Sequence, residues 1–97
     1  MEQFLNISNI KYEGVKSKNP FSFKHYNKDE IIGGKKMSEH LKFSMAYWHT
    51  IVADGTDMFG VGTIDKSLGE KDPIEIYKKK VYAAFEIMNK LGIEYFC

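Results

Sequence analysis

The stretch DPIEIYKKKVYAAFEIMNKLGIEYFC, residues 72–97, decides the fold because it carries the clearest helix signals in the chain. Asp72 is a natural N-cap, Pro73 fits the first helical turn, and Glu75 would complete a capping box with Asp72. Gly92 can adopt the left-handed conformation that ends a helix. The apolar positions between these signals form one stripe at helical spacing: Ile74, Tyr77, Val81, Ala84, Phe85, Met88 and Leu91. The sequence therefore predicts one long amphipathic helix.

Charged residues are predicted to occupy the opposite, solvated face of this helix. Glu75–Lys79 and Glu86–Lys90 are spaced i, i+4, and such pairs stabilise a helix by roughly 0.2–0.5 kcal/mol each. The lysine run at 78–80 is interpreted as part of the same solvated face, since acidic residues flank it.

A strand is predicted on each side of the helix. FSMAYWH, residues 43–49, alternates with period two, and both of its sides are largely apolar, as in a strand covered on both faces. A continued helix stays open as the alternative, because Met37, Leu41 and Met45 keep helical spacing. The second strand covers residues 93–97. Residues 53–71 form a long glycine-containing loop, which is typical of a functional or disordered segment.

The order strand, loop, helix, strand describes one βαβ unit, whose crossover should be right-handed. We assign residues 37–97 to this unit, with a short helix over residues 35–42 at its start. Residues 1–36 are predicted to be an extended N-terminal arm, rich in polar residues and broken by Pro20 and Gly33-Gly34. The arm either anchors on another surface or folds back on its own domain, and the sequence leaves both open.

The composition argues against some classes of function but does not identify one. The chain has 97 residues and a formal net charge of +1, so nothing favours nucleic acid or an anionic membrane as a partner. No segment is typical of a signal peptide or a bilayer-spanning helix. The single cysteine, Cys97, excludes an internal disulfide and indicates a reducing, cytoplasmic location.

Two parallel strands and one helix would leave open strand edges and uncovered apolar faces. We therefore expect the chain to be the first part of a larger α/β protein, and a barrel of repeated βα units would cover these faces. In such barrels reactive groups lie at the carboxyl ends of strands, where Trp48 is placed, and on the following loops, where Phe59 is placed. Asp54-Gly55-Thr56-Asp57 has faint similarity to a calcium loop but lacks the remaining ligands, so a turn is the interpretation.

Four stretches of the chain resemble the N-terminal part of xylose isomerase, in the longer-armed branch of that family. They are NPFSFKHYN at 19–27, IIGGKKMSEHLKFSMAYWHT at 31–50, GTDMFGVGT at 55–63 and AAFEIMNKLGIEYFC at 83–97. Their order and spacing make the similarity more specific than any short motif.

This resemblance implies a (β/α)₈ TIM barrel, a homotetramer in full-length form, and the interconversion of D-xylose and D-xylulose. It also implies two divalent cations (Mg²⁺, Mn²⁺ or Co²⁺) that assist a hydride shift. Trp48 matches a tryptophan wall of the sugar pocket, and Phe59 matches a phenylalanine that a neighbouring subunit inserts there. Met58 departs from the family's usual proline, which frees the loop.

The family's ring-opening histidine, its substrate lysine and its metal ligands follow the position that matches Cys97. We therefore assign no catalytic and no metal-binding residue to this chain, and we expect the isolated 97 residues to be inactive. Two alternatives remain: a small α/β module that binds a sugar or a protein through Trp48 and Phe59, and an assembly segment without activity of its own.

Overall fold

A computed structural model describes residues 3–97 and has a mixed α/β order. The strands are β1 (Ile31–Ile32), β2 (Lys35–Lys36), β3 (Ser44–Met45) and β4 (Tyr95–Phe96); the helices are α1 (Met37–His40), a π-helical turn (Trp48–Val52) and α2 (Pro73–Leu91). Within residues 3–97, no helix combines the length and apolarity needed to cross a membrane. The Cα radius of gyration is 16.3 Å, whereas a compact domain of this size has about 13 Å. The chain is therefore extended for its length.

Helix α2 begins and ends where the sequence predicts. The Asp72 carboxylate accepts a hydrogen bond from the Ile74 N–H at 3.0 Å. Gly92 has a φ of 75°, and the Ile93 N–H donates to the Met88 carbonyl at 2.8 Å. Both ends are satisfied by bonds between near neighbours, which explains why local sequence signals sufficed.

The predicted ion pair between Glu75 and Lys79 at the start of α2 is wrong. Lys79 pairs instead with Glu70 at 2.8 Å, and the Glu75 carboxylate lies 3.6 Å from the Lys78 ammonium. Among the described residues, no hydrogen bond joins the Glu75 side chain to the Asp72 N–H, so the capping box is not completed. The loop before α2 supplies an acidic partner that helical periodicity alone could not reveal.

Strands β3 and β4 pair in parallel, with Ser44 opposite Tyr95 and Met45 opposite Phe96. The Cys97 N–H extends the pairing by donating to the Met45 carbonyl at 3.0 Å. This confirms the predicted order of strand, loop, helix and parallel strand.

The predicted strand over residues 43–49 is wrong beyond Met45. The chain turns into the π-helical segment Trp48–Val52, which closes with a bond from the Ala53 N–H to the Trp48 carbonyl at 2.7 Å. Aromatic and β-branched residues favour a strand only where a neighbouring strand packs beside them. Here the Tyr47 N–H still donates to the Cys97 carbonyl at 2.9 Å, but from Trp48 onward the backbone bonds are local.

Helix α1 is shorter than the predicted 35–42. Lys35–Lys36 form β2, and the helix spans only Met37–His40. Extended backbone at Leu41, with φ −110° and ψ 104°, ends it. The same residue excludes the alternative of one continuous helix reaching Met45.

The buried core is small and lies where α2 crosses β3 and the π-helical turn. Its buried cluster comprises Met45, Ile51, Ala84 and Met88, with Tyr47, Ile87 and Ile93 packed against it. The predicted apolar stripe of α2 is therefore buried only in part. Its exposed members are Ile74, Tyr77, Val81 and Phe85.

The first part of the arm lies on the C-terminal half of α2. The N–H groups of Gln3 and Phe4 donate to the Glu86 carboxylate at 2.6 and 2.8 Å, and the Lys90 ammonium donates to the Phe4 carbonyl at 2.6 Å. The Ile10 N–H donates to the Lys90 carbonyl at 2.7 Å. The predicted Glu86–Lys90 pair is confirmed at 2.9 Å, but its side chains are only 12% and 13% exposed rather than solvated. The first part of the arm therefore folds back on its own chain, and anchoring of the arm on another surface stays a prediction.

The rest of the arm contains a hairpin and a stack of aromatic rings. Gly33 and Gly34 have φ of 61° and 81°, which suits the tight turn joining antiparallel β1 and β2. The Tyr26 ring packs edge-on against Phe23 at 5.6 Å and against Phe43 at 5.3 Å. These rings tie the arm to the residues that lead into β3.

Candidate functional site

Trp48 opens the π-helical turn after β3. Its side chain is 66% exposed, and its ring centroid lies 5.2 Å from that of His49, with the planes tilted by 56°. The Lys66 ammonium donates to the Thr50 carbonyl at 2.9 Å and ties this turn to the following loop. The indole thus offers an accessible apolar face from an anchored turn.

Phe59 lies at the tip of a tight turn in the loop that precedes α2. Asp57 and Gly60 exchange backbone hydrogen bonds at 3.1 and 3.3 Å, and the Asp57 carboxylate accepts from the Phe59 N–H at 2.7 Å. The side chains of Phe59 and Met58 are 90% and 87% exposed. The predicted loop over residues 53–71 is confirmed, and its tip presents two apolar side chains to solvent.

Asp54 joins the two sides of this loop beneath the tip. Its Oδ1 accepts from the Thr56 N–H at 3.0 Å and from the Thr56 hydroxyl at 2.7 Å. Its carbonyl accepts from the N–H groups of Thr63 and Ile64 at 3.0 and 2.9 Å. The interpretation of this segment as a turn is confirmed. The sequence analysis missed that Asp54 organises the whole loop, although an Asp-Gly-Thr run is a known signal for such local bonds.

The Gly62 backbone lies directly against the Asp54 carboxylate. A Cβ atom at Gly62 would come within 2.4–2.6 Å of the carboxylate atoms, so any larger residue would force one of them to move. Gly55 has a φ of 89°, a conformation that favours glycine and lets the chain reverse after Asp54. The loop therefore favours glycine at position 55 by its backbone conformation and at position 62 by the space that the Asp54 carboxylate leaves.

Hydrogen bonds lower the pKa of two carboxyl groups in the loop. The Thr56 hydroxyl is the largest cause for the pKa of Asp54, followed by the Thr56 N–H. The Ser67 N–H and hydroxyl lower the pKa of Asp65 in the same way. Both groups therefore stay ionised at neutral pH, which preserves their capacity to accept these bonds.

The two predicted site residues lie on separate turns. Within residues 3–97, no ring contact joins Trp48 to Phe59. Each ring therefore presents its own apolar surface.

The described part of the chain offers no cation site. No three His, Cys, Asp or Glu side chains of residues 3–97 form a group that could hold a metal ion. The His40 ring instead hydrogen-bonds the Ile32 carbonyl, with Nε2 at 2.7 Å from the oxygen.

An apolar groove of about 240 Å³ lies between the β3–β4 pair and α2. The Phe85 and Phe96 rings meet edge-on in its wall at 5.5 Å. The other lining residues are Met45, Tyr47, Val81, Ala84, Met88 and Cys97. An uncovered apolar surface between sheet and helix is what a single βα unit exposes when no neighbouring unit packs beside it.

Sequence comparison relates the chain to one enzyme family. It is 55% identical over 95 residues to the xylose isomerase of Thermoanaerobacterium saccharolyticum, a match over 97% of this chain. Matches over 100% of this chain reach 54% identity in Thermoanaerobacter pseudethanolicus and 52% in Enterococcus faecalis, both named xylose isomerase. The chain is a homologue of the xylose isomerases. It spans about 22% of the length of these relatives, and no protein-family profile matches it.

The homology confirms the resemblance to xylose isomerases that the sequence motifs indicated. It covers the segments that carry Trp48 and Phe59, because the matches span the whole chain. The sugar-binding roles of these two residues remain predictions.

Proposed function

We propose that this chain is the N-terminal segment of a xylose isomerase, an enzyme that interconverts D-xylose and D-xylulose. The observation that carries the proposal is 48–55% identity to xylose isomerases over essentially the whole chain. Because the chain spans about 22% of those proteins, the activity belongs to the full-length protein, and the isolated segment is expected to be inactive.

The proposed fold of the full-length protein is a (β/α)₈ TIM barrel whose first βαβ unit is residues 37–97, preceded by the arm 1–36. Two observations support it: β3 and β4 are parallel and connected through α2, and the groove beside them is apolar and open. Further βα units packed on this side would cover the exposed part of the α2 stripe.

Trp48 and Phe59 are the proposed sugar-binding residues of this segment. Aromatic faces suit the C–H surfaces of a sugar and exclude water from the reacting carbons. Because the two rings lie on separate turns, we propose that Trp48 lines the pocket of its own subunit while Phe59 enters that of a neighbour in a homotetramer. The 90% exposure of Phe59 on a hydrogen-bonded tip supports this arrangement.

The divalent cations of this reaction do not fit the residues of this segment. Residues 3–97 contain no suitable ligand group, so we assign Mg²⁺, Mn²⁺ or Co²⁺ to the remainder of the full-length protein and no metal-dependent step to this chain. The single cysteine leaves the cytoplasm as the proposed location.

Comparison of the full-length protein with the isolated 97 residues tests the proposal. The full-length protein should convert D-xylose to D-xylulose in the presence of Mg²⁺ and lose that activity in a chelator, while the segment alone should show no turnover. Turnover by the isolated segment, or none by the full-length protein, would contradict it. Saturable quenching of Trp48 fluorescence by D-xylose in the isolated segment would favour a sugar-binding module instead.

Alanine at either aromatic position should lower kcat/KM of the full-length protein for D-xylose by about tenfold or more, equivalent to about 1.4 kcal/mol of lost transition-state stabilisation. The reason is the loss of an apolar wall that packs on the sugar. Steady-state kinetics of Trp48→Ala and Phe59→Ala would measure it. Met58→Ala is the matched control, since Met58 is equally exposed beside Phe59 and has no assigned contact with sugar. Equal losses in all three variants would argue against a specific role.

A further inference from the structure

We infer that Asp54 is a positioning residue for the Phe59 ring, an inference that rests on the proposed sugar-binding role of Phe59. The ring is 90% exposed and makes no ring contact within residues 3–97. Side-chain packing in this chain therefore does not set the ring's direction. The backbone of the loop sets it, and Asp54 holds that backbone.

The loop is a stack of two hydrogen-bonded layers. In the lower layer, the Asp54 side chain binds Thr56, and its carbonyl receives the N–H groups of Thr63 and Ile64. In the upper layer, the Asp57–Gly60 turn carries Phe59. The side-chain bonds to Thr56 fix the segment that enters the tip, and the carbonyl bonds fix the segment that leaves it. Substitution of the Asp54 side chain removes only the Thr56 bonds, so it would free the entry to the tip without touching Phe59.

The Asp54 carboxylate is exposed to solvent but lies directly against the Gly62 backbone. Its atoms lie 2.4–2.6 Å from where a Cβ atom of Gly62 would be. Gly62→Ala would therefore displace the carboxylate while leaving it in the chain. This provides a second, independent way to disturb the same contact.

The charge of Asp54 is secondary to its acceptor geometry. Asparagine retains a side-chain oxygen that can accept from the Thr56 N–H and hydroxyl, whereas alanine removes the acceptor. Asp54→Asn should therefore preserve most of the loop order, and Asp54→Ala should not.

Steady-state kinetics of the full-length protein with D-xylose and Mg²⁺ test the inference. Asp54→Ala and Gly62→Ala should each lower kcat/KM about as much as Phe59→Ala, about tenfold, and Asp54→Asn should recover most of that loss. In the Phe59→Ala background, Asp54→Ala should add less than about twofold, because the group it positions is already gone. The matched control is Asp65→Ala, which removes a similar bond to the Ser67 N–H at 2.9 Å outside the two layers.

Hydrogen exchange of peptides covering residues 54–64 separates this inference from the proposed function. Asp54→Ala should accelerate exchange there by about tenfold or more, and Asp65→Ala should not. Unchanged exchange, or kinetic losses that multiply with Phe59→Ala, would overturn the positioning role of Asp54. If Phe59→Ala alone leaves sugar kinetics unchanged, the proposed role of Phe59 fails, and the exchange result still decides whether Asp54 orders the loop.

Discussion

Replacing Met88 by alanine should lower the free energy of unfolding by about 2–5 kcal/mol, a large share of the marginal stability of a typical domain. The Met88 side chain is 5% exposed and belongs to the only buried cluster described in residues 3–97. It joins α2 to Met45 of β3 and to Ile51 of the π-helical turn. Truncation would therefore loosen all three elements at once.

Chemical denaturation of the full-length protein, followed by circular dichroism, would measure this effect as a lower midpoint with an unchanged slope. Lys78→Ala is the matched control on the same helix, because its exposed pair with Glu75 at 3.6 Å contributes little. A midpoint for Met88→Ala equal to that of the control would show that this cluster does not hold α2 in place.

Helix α2, which carries both Met88 and Lys78, is the part of the fold that could be predicted from the sequence. The stripe that contains Met88 follows from helical spacing, and the ends of α2 follow from Asp72 and Gly92, whose bonds reach only two to four residues away. Each of these signals is local, so the sequence alone sufficed for α2.

Strand β3 was overestimated because strand formation depends on a distant partner. The run at 43–49 has the composition of a strand, yet only Ser44–Met45 pair with β4. Trp48 was consequently placed at a strand end, whereas it opens a π-helical turn. Its place near the carboxyl end of the strand was predicted, whereas its 66% exposure was not, because the run was interpreted as a strand covered on both faces.

The residues of the candidate site could be predicted from the sequence, but the contacts that hold them in place could not. Phe59 was placed on a loop by the glycines around it. The contact between Gly62 and the Asp54 carboxylate depends on how the loop closes, and the seven intervening positions give no periodic signal for it. Likewise, spacing predicted the Glu86–Lys90 pair but not the arm that covers it.

Replacing Glu86 by alanine should release the first part of the arm from α2. The Glu86 carboxylate accepts the N–H groups of Gln3 and Phe4, and it also holds Lys90, which binds the Phe4 carbonyl. Without the carboxylate, these backbone groups lose their partners and exchange with solvent. Hydrogen exchange at Gln3 and Phe4 should accelerate by about tenfold or more. Glu75→Ala is the control, since Glu75 contacts only the exposed Lys78 among its charged neighbours described here.

Lowering the pH should release the first part of the arm from α2, as Glu86→Ala does. Desolvation pushes the pKa of Glu86 upward, but hydrogen bonds from the Gln3 N–H, the Lys90 ammonium and the Phe4 N–H outweigh it, and the net pKa lies below the ordinary value. A lowered pKa in the folded state means that ionised Glu86 stabilises the docked arm above the ordinary glutamate pKa. That contribution is lost as the pH falls through the lowered folded value.

Hydrogen exchange of the arm measured against pH would separate this titration from general acid unfolding. In the wild type, protection of Gln3 and Phe4 should fall at a pH below the ordinary glutamate range while α2 stays protected. Lys90→Met should move that transition to higher pH, because it removes a donor that stabilises the ionised carboxylate. Glu86→Gln should abolish the transition, since the amide does not titrate. An unchanged acid transition in Glu86→Gln would assign the release to another group and contradict the role of Glu86 in holding the arm.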